Sequence, residues 1–126
     1  MFSPYCYNAV IMRVLDGDSM VVYVDRGCKD YSTKTLRIKD LDTPETTRRW
    51  RHGKKVSVAE VTAGKAAKKL AMELLQGQCV RIQTYKDPTG KYGRLLVDMW
   101  YKKDGEWIDW ASMMKAQGFD RNNNPL

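Results

Sequence analysis

From Asn8 to Arg26 the chain reads N-A-V-I-M-R-V-L-D-G-D-S-M-V-V-Y-V-D-R, two β-branched, apolar stretches on either side of Asp16-Gly17. Stretches of this kind favour strands, and Asp-Gly between them favours a tight turn, so an antiparallel hairpin is predicted. The segment T-K-T-L-R-I-K-D continues in alternation, with Leu36 and Ile38 apolar and Arg37 and Lys39 charged. That period predicts a third strand buried on one face. The alternation fails at Asp40-Leu41, and Pro44 has no N–H to add to a ladder, so the strand must end there.

From Ala59 to Gln76 the period becomes helical. Ala63, Ala67, Leu70 and Leu74 fall on one stripe, with Lys65, Lys68 and Lys69 opposite and Gly77 where a left-handed C-terminal cap belongs. C-V-R-I-Q-T-Y then alternates Val80 and Ile82 with Arg81 and Gln83, a fourth strand. D-P-T-G-K-Y-G-R is dense in turn formers, and L-L-V-D-M-W-Y-K-K reads as a fifth strand ahead of an Asp104-Gly105 turn. D-W-A-S-M-M-K-A-Q-G predicts a short helix ended by Gly118, and R-N-N-N-P-L reads as frayed. The expectation is one domain with its core at about residues 9–118 and a loose tail at about 119–126. Three strands, a helix, two strands and a terminal helix make a mainly β, α+β chain. That is the element order of a five-stranded barrel of the oligonucleotide-binding type, the OB-fold.

Composition narrows the chemistry. At 126 residues and 43% apolar, the chain is long enough for a modest core and too apolar for disorder. Twenty-two Lys/Arg against fifteen Asp/Glu leave +7, a field that favours nucleic acid or another polyanion. Cys6, Cys28 and Cys79 are widely spaced, and His52 is the one histidine, which argues against a zinc site and against nucleases built on several histidines. Thiols of this kind suit a reduced compartment. With no 18-residue apolar run and no signal-peptide pattern in M-F-S-P-Y-C-Y-N-A-V, a cytoplasmic protein is expected.

Against this basic background, acids gather at one place. Asp42-Thr43-Pro44-Glu45 holds two carboxylates and the Thr43 carbonyl in a stiff arc, because Pro44 fixes its own φ and pushes Thr43 toward an extended conformation. Hard cations take oxygen ligands of this kind; a helix-entry turn is the competing local reading. Asp18 by itself is explained by a soluble hairpin turn. Were Asp18 and Asp42 to converge to about 6 Å, they would repel by roughly 3 kcal/mol at an effective dielectric near 20, which calls for a cation or for arginines. Arg37 leads into the acidic turn and Arg94 opens the fifth strand, and each offers a planar fork that matches a phosphate. Behind the acids, R-R-W-R-H-G-K-K sets Arg48, Arg49 and Arg51 around Trp50, a mixture suited to backbone contact and base stacking. The bland reading is a solvated loop. Trp100, Trp107, Trp110, Met113 and Met114 are assigned to core and rim.

With V-L-D-G-D-S, L-R-I-K-D-L-D-T-P-E-T and G-K-Y-G-R-L-L in this order, the chain resembles the staphylococcal nuclease (thermonuclease) family over roughly residues 9–118. The resemblance implies a barrel of the oligonucleotide-binding type with a Ca²⁺-dependent phosphodiesterase site, acting on DNA or RNA with little sequence specificity and leaving 3′-phosphate ends. It assigns Asp18 and Asp42 as metal carboxylates, Thr43 as a carbonyl ligand and Glu45 as the base for the attacking water. Arg37 and Arg94 match the arginines that grip the scissile phosphate, and Lys91 and Tyr92 match contacts to a terminal phosphate. An open oxygen site also accepts Mg²⁺ or Mn²⁺. Departures are Ser19 for the usual Thr, the charged Lys39-Asp40 and a more basic turn after Glu45. Asp40 is either a bystander or an acid that tunes the metal. Beyond Gly118 the family's tyrosine-bearing segment and final helix are missing, so stacking by those tyrosines is not expected.

The rival reading is a binding module that holds nucleic acid on the same fold without chemistry. The presence of Asp18, Arg37, Asp42, Glu45 and Arg94 together favours the enzyme. A basic protein that merely coats polyanions explains the charge but not the acidic turn. The sequence leaves open a protein partner or homo-oligomer, and the choice between DNA and RNA.

Overall fold

The computed structural model describes residues 5–47, 50–51, 54–85 and 94–121. Strand β1 (Cys6–Asp16) turns at Gly17-Asp18 into β2 (Ser19–Asp25), and β3 (Tyr31–Ile38) follows. The three pair antiparallel, from Asn8↔Asp25 to Asp16↔Ser19 and from Asp25↔Tyr31 to Ser19↔Arg37. Their alternation buries Ile11, Met20, Val22, Leu36 and Ile38 in one core. Register shifts between Ile11 and Arg13 and between Val14 and Asp16 bend β1. The bend lets it pair with β2 on one side and β6 (Cys79–Tyr85) on the other.

Strand β7 (Leu95–Lys103) pairs antiparallel with β6 and in parallel with the end of β3, through Leu36↔Leu95, Arg37↔Leu96 and Ile38↔Val97. This last pairing closes a five-stranded barrel, β1-β2-β3-β7-β6, the OB-type α+β architecture that the element order predicts. It also brings Arg37 and the start of β7 to one end of the barrel.

Three short strands were not anticipated. β4 (Trp50–Arg51) and β5 (Lys54–Lys55) make a small hairpin inside the basic stretch, and β8 (Glu106–Asp109) folds back on β7 beyond Asp104-Gly105. In β8, E-W-I-D is too short and too charged at its ends for alternation to show.

Helix α1 (Val58–Leu75) starts at Ser57, whose hydroxyl accepts the Glu60 N–H at 3.1 Å. Gly77 follows it with φ +75°, as the cap requires. Its buried face is Glu60, Gly64, Ala67, Ala71 and Leu75. The expected stripe of Ala63, Ala67, Leu70 and Leu74 is therefore rotated: Ala67 alone of these is fully buried, and Leu70 and Leu74 flank the core. The reason is close approach. A Cβ on Gly64 would stand 2.1 Å from the Glu45 carbonyl oxygen, so the helix meets the acidic loop through a residue that has no side chain.

Helix α2 (Trp110–Ala116) buries Trp110, Ala111 and Met114, while Trp107 stays at the rim, 38% exposed. Residues 119–121 do not fray. Phe119 packs on the core, Asp120 is 2% exposed and the Arg121 N–H donates to the Asp42 carbonyl at 2.9 Å. The loose tail expected at 119–126 is thus corrected for residues 119–121, and residues 122–126 lie outside the described part. Likewise β1 begins at Cys6, ahead of the expected core boundary. Cys6, Cys28 and Cys79 are exposed free thiols, and among the described residues no helix is long and apolar enough to cross a membrane.

Candidate active site

Four features build the mouth of the barrel. The Asp18 carbonyl accepts the Ile38 N–H at 2.8 Å, tying the β1–β2 turn to the end of β3. Behind that turn, the Trp110 indole N–H donates to the Gly17 carbonyl at 2.8 Å. A Cβ on Gly17 would lie 2.9 Å from the Thr43 methyl, so the turn can pack on the acidic loop only as glycine. The loop 41–45 leaves β3 at Asp40, whose φ of +61° breaks the strand where the alternation fails.

On this frame Asp18, Arg37, Asp42 and Thr43 converge, although 25 residues separate Asp18 from Thr43. The Asp18 Oδ2 accepts the Thr43 N–H at 2.9 Å and meets the Arg37 Nη1 at 2.5 Å. The same Nη1 donates to the Leu41 carbonyl at 2.7 Å, and Nη2 lies 3.6 Å from Asp42 Oδ1. Asp18 and Thr43 are buried, while the Arg37 and Asp42 side chains keep partial contact with solvent. Asp40, by contrast, is exposed and pairs with Lys39 at 3.2 Å.

Burial raises the Asp18 carboxyl above its usual 3.8; Arg37 and the Thr43 N–H oppose the shift, and Asp42 adds to it. Asp16 is raised likewise, by burial and then by Asp18, with a Thr46 hydrogen bond and Lys68 opposing and Glu45 adding. At Asp18 it is burial, more than like charge, that exceeds what Arg37 offsets.

A second arginine addresses the rest. The Arg121 guanidinium hydrogen-bonds Glu60 Oε1 through Nη2, lies 3.5 Å from Glu45 Oε1 through Nη1 and 4.0 Å from Asp42 Oδ2 through Nε. Asp16, Glu60 and Arg121 are the members that sequence reasoning missed. Asp16 looked like half of an Asp-Gly turn, Glu60 stood unremarked in the helical segment, and Arg121 looked like the start of a tail.

Arg94 stands one residue ahead of Leu95, which is in register with Leu36, so its backbone reaches the same barrel end as Arg37. Lys91, Tyr92, Arg48 and Arg49 lie outside the described residues, and of Trp50 and Arg51 only the β4 backbone is described.

The donor set suits a hard cation in kind. Asp18, Asp42 and the Thr43 carbonyl offer oxygen alone, and the Asp18 carboxylate, raised chiefly by burial, gains from a positive charge. Among the described residues no three His, Cys, Asp or Glu side chains form a ready-made metal cluster, so backbone and water oxygens would complete the shell.

A family model described as staphylococcal nuclease homologue matches residues 35–122. It takes in Arg37, Asp42, Thr43, Glu45 and Arg94 together with Glu60 and Arg121. The thermonuclease of Staphylococcus intermedius is 32% identical over 91 residues, 72% of this chain and 47% of that protein. That of Staphylococcus hyicus is 32% identical over 94 residues, 75% of this chain and 48% of its own. The chain spans about half the length of these curated relatives. A closed barrel with the acids at its mouth and a family match over most of its length lead to one assignment: the chain belongs to the staphylococcal nuclease family.

Proposed function

We propose that the protein is a Ca²⁺-dependent nuclease that hydrolyses phosphodiester bonds of DNA and RNA with little sequence specificity and leaves 3′-phosphate ends. The observation that carries this reading is the convergence of Asp18, Arg37 and Asp42, with Glu45 in the same loop, on one mouth of a barrel of net charge +7. Asp18, Asp42 and the Thr43 carbonyl would hold the ion. When bound, Ca²⁺ supplies Lewis-acid polarisation of a phosphoryl oxygen and orientation of water; Mg²⁺ or Mn²⁺ suit the same oxygens less flexibly.

The chain's own groups do the rest. Glu45 takes a proton from the attacking water. The water oxygen bonds to phosphorus while the P–O5′ bond breaks, and the 5′-oxygen leaves with a proton from solvent. Arg37 turns its fork from the carboxylates to the phosphate and, with Arg94, offsets charge on the crowded phosphorane. Arg48, Arg49 and Arg51 hold the polyanion backbone, Trp50 stacks on a base, and Lys91 and Tyr92 receive a terminal phosphate.

A second reading has its own observation. Arg37 and Arg121 lie on the acids that chemistry would need, as they would in a module that binds nucleic acid and does not cut it. Product analysis decides between the two. A 5′-labelled single strand incubated with the protein and Ca²⁺ should yield fragments whose mobility changes on phosphatase treatment, as 3′-phosphates require. Fragments ending in 3′-hydroxyl contradict the assigned bond, and intact DNA that remains bound establishes the module.

A further inference from the structure

Glu60 breaks a local rule. Ser57-Val58-Ala59-Glu60 is a capping box, and half of it forms, the Glu60 N–H donating to the Ser57 hydroxyl. The other half would have the Glu60 carboxylate turn back to the Ser57 N–H. Instead Oε1 takes the Arg121 guanidinium, and Oε2 is buried without a hydrogen-bond partner. A half-satisfied carboxylate at 7% exposure is costly, and a costly departure from local preference is expected where function requires it.

The requirement is legible in the distances. Arg121 faces three acids, Asp42, Glu45 and Glu60, and it is closest to the one that has no part in the proposed chemistry. Its backbone N–H meanwhile holds the Asp42 carbonyl. It thus joins the acidic loop, the first turn of α1 and the segment after α2, where the loop already lies too near Gly64 for any side chain. We propose that Glu60 and Arg121 are a positioning pair, in which Arg121 clamps the Asp42–Glu45 loop on α1 and Glu60 holds the guanidinium closest to itself, loosening its grip on Glu45 and Asp42 so that a cation can compete for them. The inference rests on the proposed cation site and adds how that site is kept available in a chain with arginines on every side.

The test is Ca²⁺ titration by calorimetry on the intact chain, beside melting temperature and amide exchange at Thr43. In Glu60→Gln the released guanidinium moves onto Glu45 and Asp42, and the Ca²⁺ Kd should rise about tenfold, as for coupled charges in one network. The melting temperature should stay near that of the wild type, because Gln keeps the capping geometry. Arg121→Met should speed exchange at the Thr43 amide about tenfold by releasing the loop. In the double variant Arg121 is gone and cannot move onto Glu45 and Asp42, so the Kd should return to that of Arg121→Met alone. A merely structural Glu60 would lower the melting temperature, leave the Kd unchanged and add to the Arg121 effect, which overturns the proposal. A wild-type chain that takes up no Ca²⁺ defeats the cation reading instead; the clamp then stands or falls on Thr43 exchange.

Discussion

Arg37 with Asp18 and Arg26 with Asp30 are the same chemical pair at opposite ends of one hairpin. At the turn between β2 and β3, Arg26 Nε lies 3.7 Å from Asp30 Oδ2, four residues apart, with side chains 52% and 60% exposed. At the mouth, the Arg37–Asp18 contact is 2.5 Å, the side chains are 26% and 11% exposed, and Arg37 also bonds Leu41 and approaches Asp42. The exposed pair exchanges water contacts for a screened attraction and is worth little. The buried one confines two acids to a place where desolvation raises Asp18, a cost that a fold without a task there would have no reason to retain. Burial, rather than the count of ion pairs, separates a site from a surface.

The largest effect should come at Glu45. Glu45→Gln keeps size and hydrogen bonding but cannot take a proton, so turnover on single-stranded DNA should fall on the order of 10²–10⁴-fold with binding retained. A variant cutting at the wild-type rate would remove Glu45 as the base.

The raised acids give the next contrast. Asp16 and Asp18 bind a proton more tightly in the folded chain than their usual 3.8, so their ionisation lowers stability as pH rises through the window from 3.8 to the raised values. A cation offsets that cost only when the carboxylates are ionised. Ca²⁺ should therefore raise the melting temperature at neutral pH and lose this effect as pH falls through the same window. Asp18→Asn should reduce the shift at neutral pH. An equal shift in both proteins would take Asp18 out of the metal site.

Smaller effects belong to packing and to the far end. Gly64→Ala presses a methyl group into the Glu45 carbonyl and should cost about 1–3 kcal/mol in a denaturant titration. It should also disturb Ca²⁺ binding, because the loop moves with its ligands. Arg26→Ala at the exposed pair should stay within about 0.5 kcal/mol of the wild type. A large loss at Arg26 would erase the contrast between the two ends.

The strands were legible because each buries one face: Leu36 and Ile38 alternate with Arg37 and Lys39, and the core follows them. Asp42-Thr43-Pro44-Glu45 was legible as a stiff acidic turn because Pro44 acts locally. The buried face of α1 was not, since two of its five members, Glu60 and Gly64, carry a charge or no side chain, and an apolar stripe cannot show them. Arg121 was hidden for another reason. Its partners Glu45 and Glu60 lie 76 and 61 residues away, a proximity that only barrel closure and the turn after α2 create.

The central claim is that the acidic mouth performs metal-assisted hydrolysis, and the most direct measurement is cleavage of single-stranded DNA by the purified chain. It would be followed in Ca²⁺, after addition of a chelator and after Ca²⁺ is restored. The account predicts cutting that stops with the chelator and resumes with the ion. Cutting that continues undiminished in the chelator, or DNA that is bound and never cut under any of the three conditions, would contradict it.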